Sequence, residues 1–396
     1  MDHSAPSASL RASLPLPLMA AIAALPPLAV DLYLPAFPQI ADDFATSISV
    51  IQNSLSIFLV GFGCGMLLFG PYADRYGRRP LALFGLAGFG LASLVLVLSK
   101  DPGWFLLFRL IQGFLGSAAT VTIPAMIRDT HGKDTAKGMS TVTMIMLVAP
   151  LIAPLIGSWI LAVAPWQGLF VFVAFYALTL MLLTWRFLPE TRPAILVPTQ
   201  QSPLRNYQII FSNHRIYWDL LTYILLALAF FVYLTSVSFI YISWFGVSET
   251  RFGYLFACSA AALIIANYTN RQLVSRVGSR RMLQRALVGG AGFTLLLLVL
   301  MVLGGGLWLT VLDFFFIVGC LGIAWVNADS LVIMEFPQQA GSATAVIGTL
   351  RFGFGALAGP LLAVTYTGTP MPVAILMVLC LAGAGAIQLL RARHHA

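Results

Sequence analysis

Long apolar runs, interrupted at short intervals by polar clusters, dominate this chain. Read in windows of about 20 residues, they predict twelve helices: 15–38, 48–71, 80–99, 103–127, 139–163, 167–188, 217–243, 250–272, 283–303, 307–332, 341–366 and 371–390. Helices of that length span a bilayer core of about 30 Å. The longest polar gap runs from Pro189 to Arg215, carries Pro193, Pro198 and Pro203, and divides the windows six and six. The pattern predicts an all-α integral membrane protein. Its parts are a tail at 1–14, a six-helix bundle at 15–188, a linker at 189–215, a second six-helix bundle at 216–390 and a tail at 391–396.

Composition strengthens this reading. The chain is 59% hydrophobic and 9% charged, with a mean hydropathy of +0.91, whereas soluble domains carry roughly 25% charged residues. A formal charge of +8 raises the thought of a nucleic-acid partner, but too few charges remain to build a basic face. Topology accounts for the surplus. Eighteen of the 22 Lys and Arg, from Arg11 through Arg75, Arg78 and Arg79 to Arg391 and Arg393, fall in or beside segments on one side. Only Lys100 and Arg251 fall on the other, and Arg109 and Arg351 lie inside windows. Basic residues collect on the cytoplasmic side, so both termini are expected there. The polar start, Met1 to Ser13 with Arg11, invites a signal-peptide reading. Pro15, Pro17, Pro26 and Pro27, and a run that continues through Asp31, favour an uncleaved first helix.

Several chemistries find no support. Cys64, Cys258, Cys320 and Cys380 stand singly in apolar runs, and the five histidines lie in tails or connections, so no metal or redox spacing arises. Gly132-Lys133-Asp134-Thr135 lacks the upstream glycines of a nucleotide-binding loop. With no Ser-His-Asp set in the helices, the chain reads as no enzyme, without cofactor or metal.

Charges inside the windows are the candidate chemistry, because an intramembrane ionisable group is costly and usually faces a protein-lined cavity. Asp31 sits in Pro26-Pro27-Leu28-Ala29-Val30-Asp31-Leu32-Tyr33-Leu34-Pro35, with no other charge between Leu14 and Ile40. Arg109, in Phe108-Arg109-Leu110-Ile111-Gln112-Gly113, falls at a similar depth in the fourth helix. The two are expected to pair, either for proton coupling or as a structural ion pair. Burial and a neighbouring guanidinium would pull the protonation of Asp31 in opposite senses. Arg351, in the eleventh helix, either contacts substrate or balances Asp313 in the tenth; Asp313 is alternatively hydrated near its helix end. Gln52 and Ser56 share a helix face and offer either substrate contacts or interhelical hydrogen bonds. Phe231 and Tyr233 are candidate cavity residues, whereas Tyr241 and Trp244 read as an interfacial belt. Asp31 itself, Tyr33, Gln112 and Asn327 complete the substrate-binding candidates.

The loop Gly70-Pro71-Tyr72-Ala73-Asp74-Arg75-Tyr76-Gly77-Arg78-Arg79 is echoed by Arg276-Val277-Gly278-Ser279-Arg280 after the eighth helix, as in two related halves. Gly70 allows a close helix approach and Gly77 a turn. This loop resembles the signature of the major facilitator superfamily at nearly every position. Asp31-Leu32-Tyr33-Leu34-Pro35, Arg128-Asp129, Asn327-Ala328-Asp329, Glu335-Phe336-Pro337 and Gly348-Thr349-Leu350-Arg351-Phe352-Gly353 look like its Bcr/CflA drug-resistance branch, over essentially the whole chain. The fifth helix is similar to the antiporter motif of drug exporters only at Pro154 and Gly157, with Ser140, Ala149, Ala153 and Ser158 elsewhere; simple packing explains it equally.

The resemblance implies a bacterial inner-membrane antiporter. It would exchange protons, the coupling ion, for small amphipathic drugs: bicyclomycin-like compounds, phenicols, sulfonamides or tetracycline. Asp31 and Arg109 would then couple protons, and Gly70, Asp74, Arg75, Gly77, Arg78, Pro154 and Gly157 would gate alternating access. Its partners would be a drug and the lipid bilayer, with the single chain functional as a monomer. The alternative is a transporter of a natural metabolite, a nucleoside or dipeptide, with drug efflux incidental.

Overall fold

The computed structural model describes residues 15–131, 135–191, 203–336 and 340–394; a few side chains inside those helices, among them Asp74 and Ser140, fall outside the description. Every regular element among the described residues is helical. The first expected helix is built in pieces: α1 (Pro15–Ala23), α2 (Leu25–Asp31), a 3₁₀ turn over Leu34–Ala36 and α3 (Phe37–Asp43). A proline stands in the first two positions of α2, of the 3₁₀ turn and of α3. Without an amide donor it starts a new turn and cannot continue the old one.

The chain continues as α4 (Ile48–Tyr76), α5 (Arg78–Val97), α6 (Pro102–Thr120), α7 (Ile123–His131), α8 (Thr135–Leu161) and α9 (Gln167–Phe187). A short helix, α10 (Pro203–Ser212), precedes α11 (Tyr217–Ser238), which ends in a π-helical turn over Phe239–Trp244. Then come α12 (Glu249–Val277), α13 (Ser279–Leu303), α14 (Leu307–Glu335), α15 (Ala340–Gly355), α16 (Ala358–Val364) and α17 (Met371–His394). Two expected helices are interrupted, between α6 and α7 ahead of Pro124 and between α15 and α16 ahead of Pro360.

Eleven helical segments among the described residues are long and apolar enough to cross a bilayer, and Val148–Leu161 within α8 is a shorter apolar stretch. Large apolar side chains such as Leu91, Phe175, Val302 and Trp308 point outward, as a hydrocarbon surround permits. In the first half α4 and α5 pack on α6, α9 packs on α5, and α1 and α2 pack on α8. In the second half α14 packs on α12 and α13, while α17 packs on α11 and α13. The halves meet where α8 crosses α12 and where α4 runs along α15 and α16.

Those seams are tightest at the end away from the Arg75–Arg79 loop. There Gln52 Nε2 donates to the Thr235 carbonyl (3.1 Å), the Gly359 amide donates to Ser56 Oγ (2.9 Å), and Ser158 Oγ donates to the Glu249 carbonyl (2.6 Å). Phe62 meets Phe352 at 4.8 Å between ring centres further along α4. Still nearer the loop, at Gly70, a Cβ would touch nothing within 4 Å. No close approach at Gly70 is seen among the described residues, although Phe69 beside it packs on Phe114 of α6 at 4.9 Å between ring centres; the hydrogen bonds named between the halves lie at the far end.

Candidate functional site

Asp31 is the last residue of α2, where the proline-segmented chain turns. It is 4% exposed and faces a cavity of about 20 Å³ at the seam between the halves. Pro150 from α8, Phe230 and Tyr233 from α11, Phe256 and Ser259 from α12, and Val318 from α14 line that cavity. The space suits one water molecule, not a drug. Tyr233, a cavity candidate from the sequence, is among the lining residues. Phe230 takes the place expected for Phe231, which is buried against Phe352 and the backbone of Gly355.

Arg109 does not pair with Asp31. Its fully buried guanidinium lies 4.2 Å from the Tyr33 ring centre and 4.6 Å from that of Phe58. Nη1 donates to the Ala29 carbonyl (3.3 Å) and to Gln112 Oε1 (2.5 Å). Matched depth made the pair feasible, but direction around the helix defeats it. Residues two apart on a helix do not share a face, and Ala29 and Tyr33 flank Asp31 at two residues on either side. Tyr33 looks to α6; Asp31 looks across to the second half.

Other expected substrate contacts are committed inside the protein. Gln112 Nε2 donates to Ser93 Oγ (2.7 Å), which donates to the Phe89 carbonyl, so Gln112 is a bracket for Arg109. The Tyr33 hydroxyl pairs with Ser54 Oγ (3.0 Å). Asn327 Nδ2 donates to Asn270 Oδ1 (2.7 Å), tying α14 to α12. For Gln52 and Ser56 the interhelical alternative holds, since both bridge the halves.

Arg351 also has a different partner from the one expected. Nη2 donates to Asp329 Oδ2 (3.1 Å), Nε donates to the Tyr223 hydroxyl (2.8 Å), and the guanidinium lies 4.3 Å from the Trp325 ring centre. Measured along the antiparallel α14–α15 hairpin at 1.5 Å per residue, Asp329 is near the depth of Arg351 and Asp313 is far beyond it. Asp313 is instead buried near the far end, its carboxylate oxygens without a hydrogen bond among the described residues. The side chains of Arg351 and Asp329 keep 31% and 28% exposure, so this cluster is reachable. Phe230 joins it to the Asp31 cavity, its ring 5.1 Å from Trp325.

The model of the Major Facilitator Superfamily matches residues 19–360. The chain belongs to that superfamily. It is 34% identical over 366 residues to the bicyclomycin resistance protein homolog of Haemophilus influenzae, covering 90% of each chain. It is 30% identical over 331 residues to a chloramphenicol resistance protein of Pseudomonas aeruginosa, covering 81% of this chain and 76% of that one. In fold it is similar to a bacterial homolog of the human lysosomal transporter Spinster, solved inward-facing and unoccupied, at a TM-score of 0.75 and 14% identity over 98% of both chains. The chain is thus a multi-pass membrane transporter and not an enzyme.

In this transporter the signature loop is organised by Glu190. Its carboxylate accepts from the amides of Arg78 (3.1 Å) and Arg79 (3.2 Å) at the start of α5, where free amides and the helix dipole favour an anion. Arg78 is buried and ion-paired with Asp129 of α7, and the Arg75 guanidinium lies over Tyr76. Gly77 has φ +102°, confirming the expected turn. The Asp74 side chain lies outside the described residues. Gly157 packs so closely on Leu32 that a Cβ would strike its carbonyl oxygen, and the Pro154 carbonyl abuts Gly253 of α12. Pro154 and Gly157 therefore hold α8 between the Asp31 segment and the second half, which is the packing alternative.

Tyr223, Trp325 and Ser259 belong to the site as well, and their only signal in the sequence is a polar or aromatic type inside an apolar window. The sequence pattern also marks Tyr241 as an interfacial residue. Tyr241 is fully buried while Trp244 is exposed, because the π-turn rotates the end of α11.

Proposed function

We propose that this transporter exports small amphipathic drugs in exchange for protons, with Asp31 as the proton-carrying group. One observation carries the reading: an isolated carboxylate, buried at the seam between two halves, faces a cavity that touches both. The bicyclomycin- and chloramphenicol-resistance names of the relatives supply the substrate class. In this reading the twelve expected spans form bundles at 15–188 and 216–390 joined by 189–215, both termini are cytoplasmic, and the chain works as a monomer in the bacterial inner membrane. The loop end then faces the cytoplasm and the far end the outside. The drug enters from the loop end toward the accessible Arg351–Asp329–Trp325 cluster and comes to lie beside Phe230.

Rocking the halves would open the far-end seam and carry drug and Asp31 to the outside, where a proton replaces the drug. One proton crossing about 150 mV releases roughly 3.5 kcal/mol, which sustains a drug gradient of about a few hundredfold at 1.4 kcal/mol per decade. Arg109 would act by fixing α2 through Ala29 and Tyr33, not by neutralising Asp31. In proteoliposomes, Asp31→Asn should fold and bind chloramphenicol yet lose chloramphenicol-dependent proton movement. Coupling at the wild-type level in that variant would sink the assignment.

A further inference from the structure

We infer that protons reach Asp31 through a line of hydroxyls in the second half, from Tyr241 by way of Ser259 to Tyr233. This rests on the proton-coupled reading above and names the route that reading needs. Three observations converge. First, Tyr233 and Ser259 line the Asp31 cavity. Second, Tyr233, Tyr241 and Ser259 are each at most 1% exposed, and among the described residues their hydroxyls have no well-formed hydrogen bond. Buried polar groups are nearly always paired, so three unpaired ones together call for an explanation. The Ser259 hydroxyl interacts with both phenols. Third, the π-turn at Phe239–Trp244 places Tyr241 on the same aromatic wall as Tyr233. Both rings pack on Phe314, at 6.1 and 5.1 Å. Single π-turns recur at functional sites.

Depth orders the three. Counted from the far ends of their helices at Trp244 and Glu249, and at 1.5 Å per residue, Tyr241, Ser259 and Tyr233 lie about 5, 15 and 17 Å inside. When the far end opens, water meets Tyr241 first. Each hydroxyl then accepts a proton on oxygen and releases its own to the next. The water-sized space between Tyr233 and Asp31 completes the transfer, so the net change is one proton from outside water to the carboxylate.

The test uses the full-length protein in proteoliposomes with chloramphenicol as probe. Two rates are compared in each variant: chloramphenicol-driven proton movement, and chloramphenicol counterflow, which moves drug both ways without net proton transfer. For Tyr241→Phe, Ser259→Ala and Tyr233→Phe the ratio of proton movement to counterflow should fall about tenfold or more, less than for a direct proton-transfer group because water can replace a missing hydroxyl. Ser259→Thr, which keeps the hydroxyl, should restore it. A drug-contact or purely structural role would lower both rates together, and a wild-type ratio in the three variants overturns the route. Absence of chloramphenicol-driven proton movement in the wild type would instead overturn the proton-coupled reading itself, and the route with it.

Discussion

Arg109 keeps a positive charge inside an apolar bundle with no carboxylate paired to it among the described residues. Its planar guanidinium lies against Tyr33 and Phe58 and hydrogen-bonds at its edge to Ala29 and Gln112. Lysine has the charge but neither the flat face nor the fork. Losing the stacking and one or two buried hydrogen bonds should cost about 1–3 kcal/mol. Arg109→Lys should therefore lower the Tm of the detergent-purified protein clearly, and an unchanged Tm would show that the aromatic bracket contributes little. At this scale the sequence was informative about which residues matter and poor on whom they meet. Asp31, Arg109 and Arg351 stood out as charges in apolar windows. Windows report depth alone, so Asp31 was matched to Arg109 although Tyr33, two residues on, takes that face. Arg351 was offered Asp313 although Asp329 is the acid at its depth. Gln112 and Asn327 looked available because hydrogen bonds from one helix to another leave no local trace in sequence.

Helices were legible as apolar windows, and their interruptions were not, because a break changes backbone bonding without changing hydropathy. The prolines at 26, 35, 38, 124 and 360 marked the sites, but a proline in a membrane helix is equally compatible with a kink. The π-turn after α11 had no signal in the sequence, which is why Tyr241 was misplaced. The paired loops were better read: Gly77 and Gly278 take matching backbone conformations, with φ of +102° and +85°. Both positions strain any residue with a side chain, by about 1–3 kcal/mol. They differ in surroundings. A Cβ on Gly77 would come within 2.6 Å of the Glu190 carboxylate that caps α5, whereas one on Gly278 meets nothing within 4 Å. Gly77→Ala should consequently lower the Tm more than Gly278→Ala. Equal losses would mean that Glu190 yields freely and that its cap adds nothing to the loop.

The whole molecule is asymmetric along its long axis, and this makes its conformational balance open to test. The halves are joined at the far end by the Gln52, Ser56 and Ser158 hydrogen bonds. Each such bond contributes about 1 kcal/mol net, and a shift of about 2 kcal/mol changes a two-state ratio roughly thirtyfold. Gly359 is where that seam is thinnest: a Cβ there would press on Ser56 Oγ and on Asn53 Oδ1. A larger side chain must therefore part α16 from α4 and break the Ser56 bond, while an opened far end has room for it. Gly353 lies one and a half turns earlier on the same strand of the seam, and a Cβ there touches nothing within 4 Å. With spin labels at the exposed positions Val163 and Arg251, Gly359→Val should shift the distance distribution toward longer values, and Gly353→Val should leave it as in the parent. A parent-like distribution for Gly359→Val would mean that the far-end contacts do not govern closure. A shift in both variants would mean that α15 and α16 transmit strain as one rod, despite the break between them.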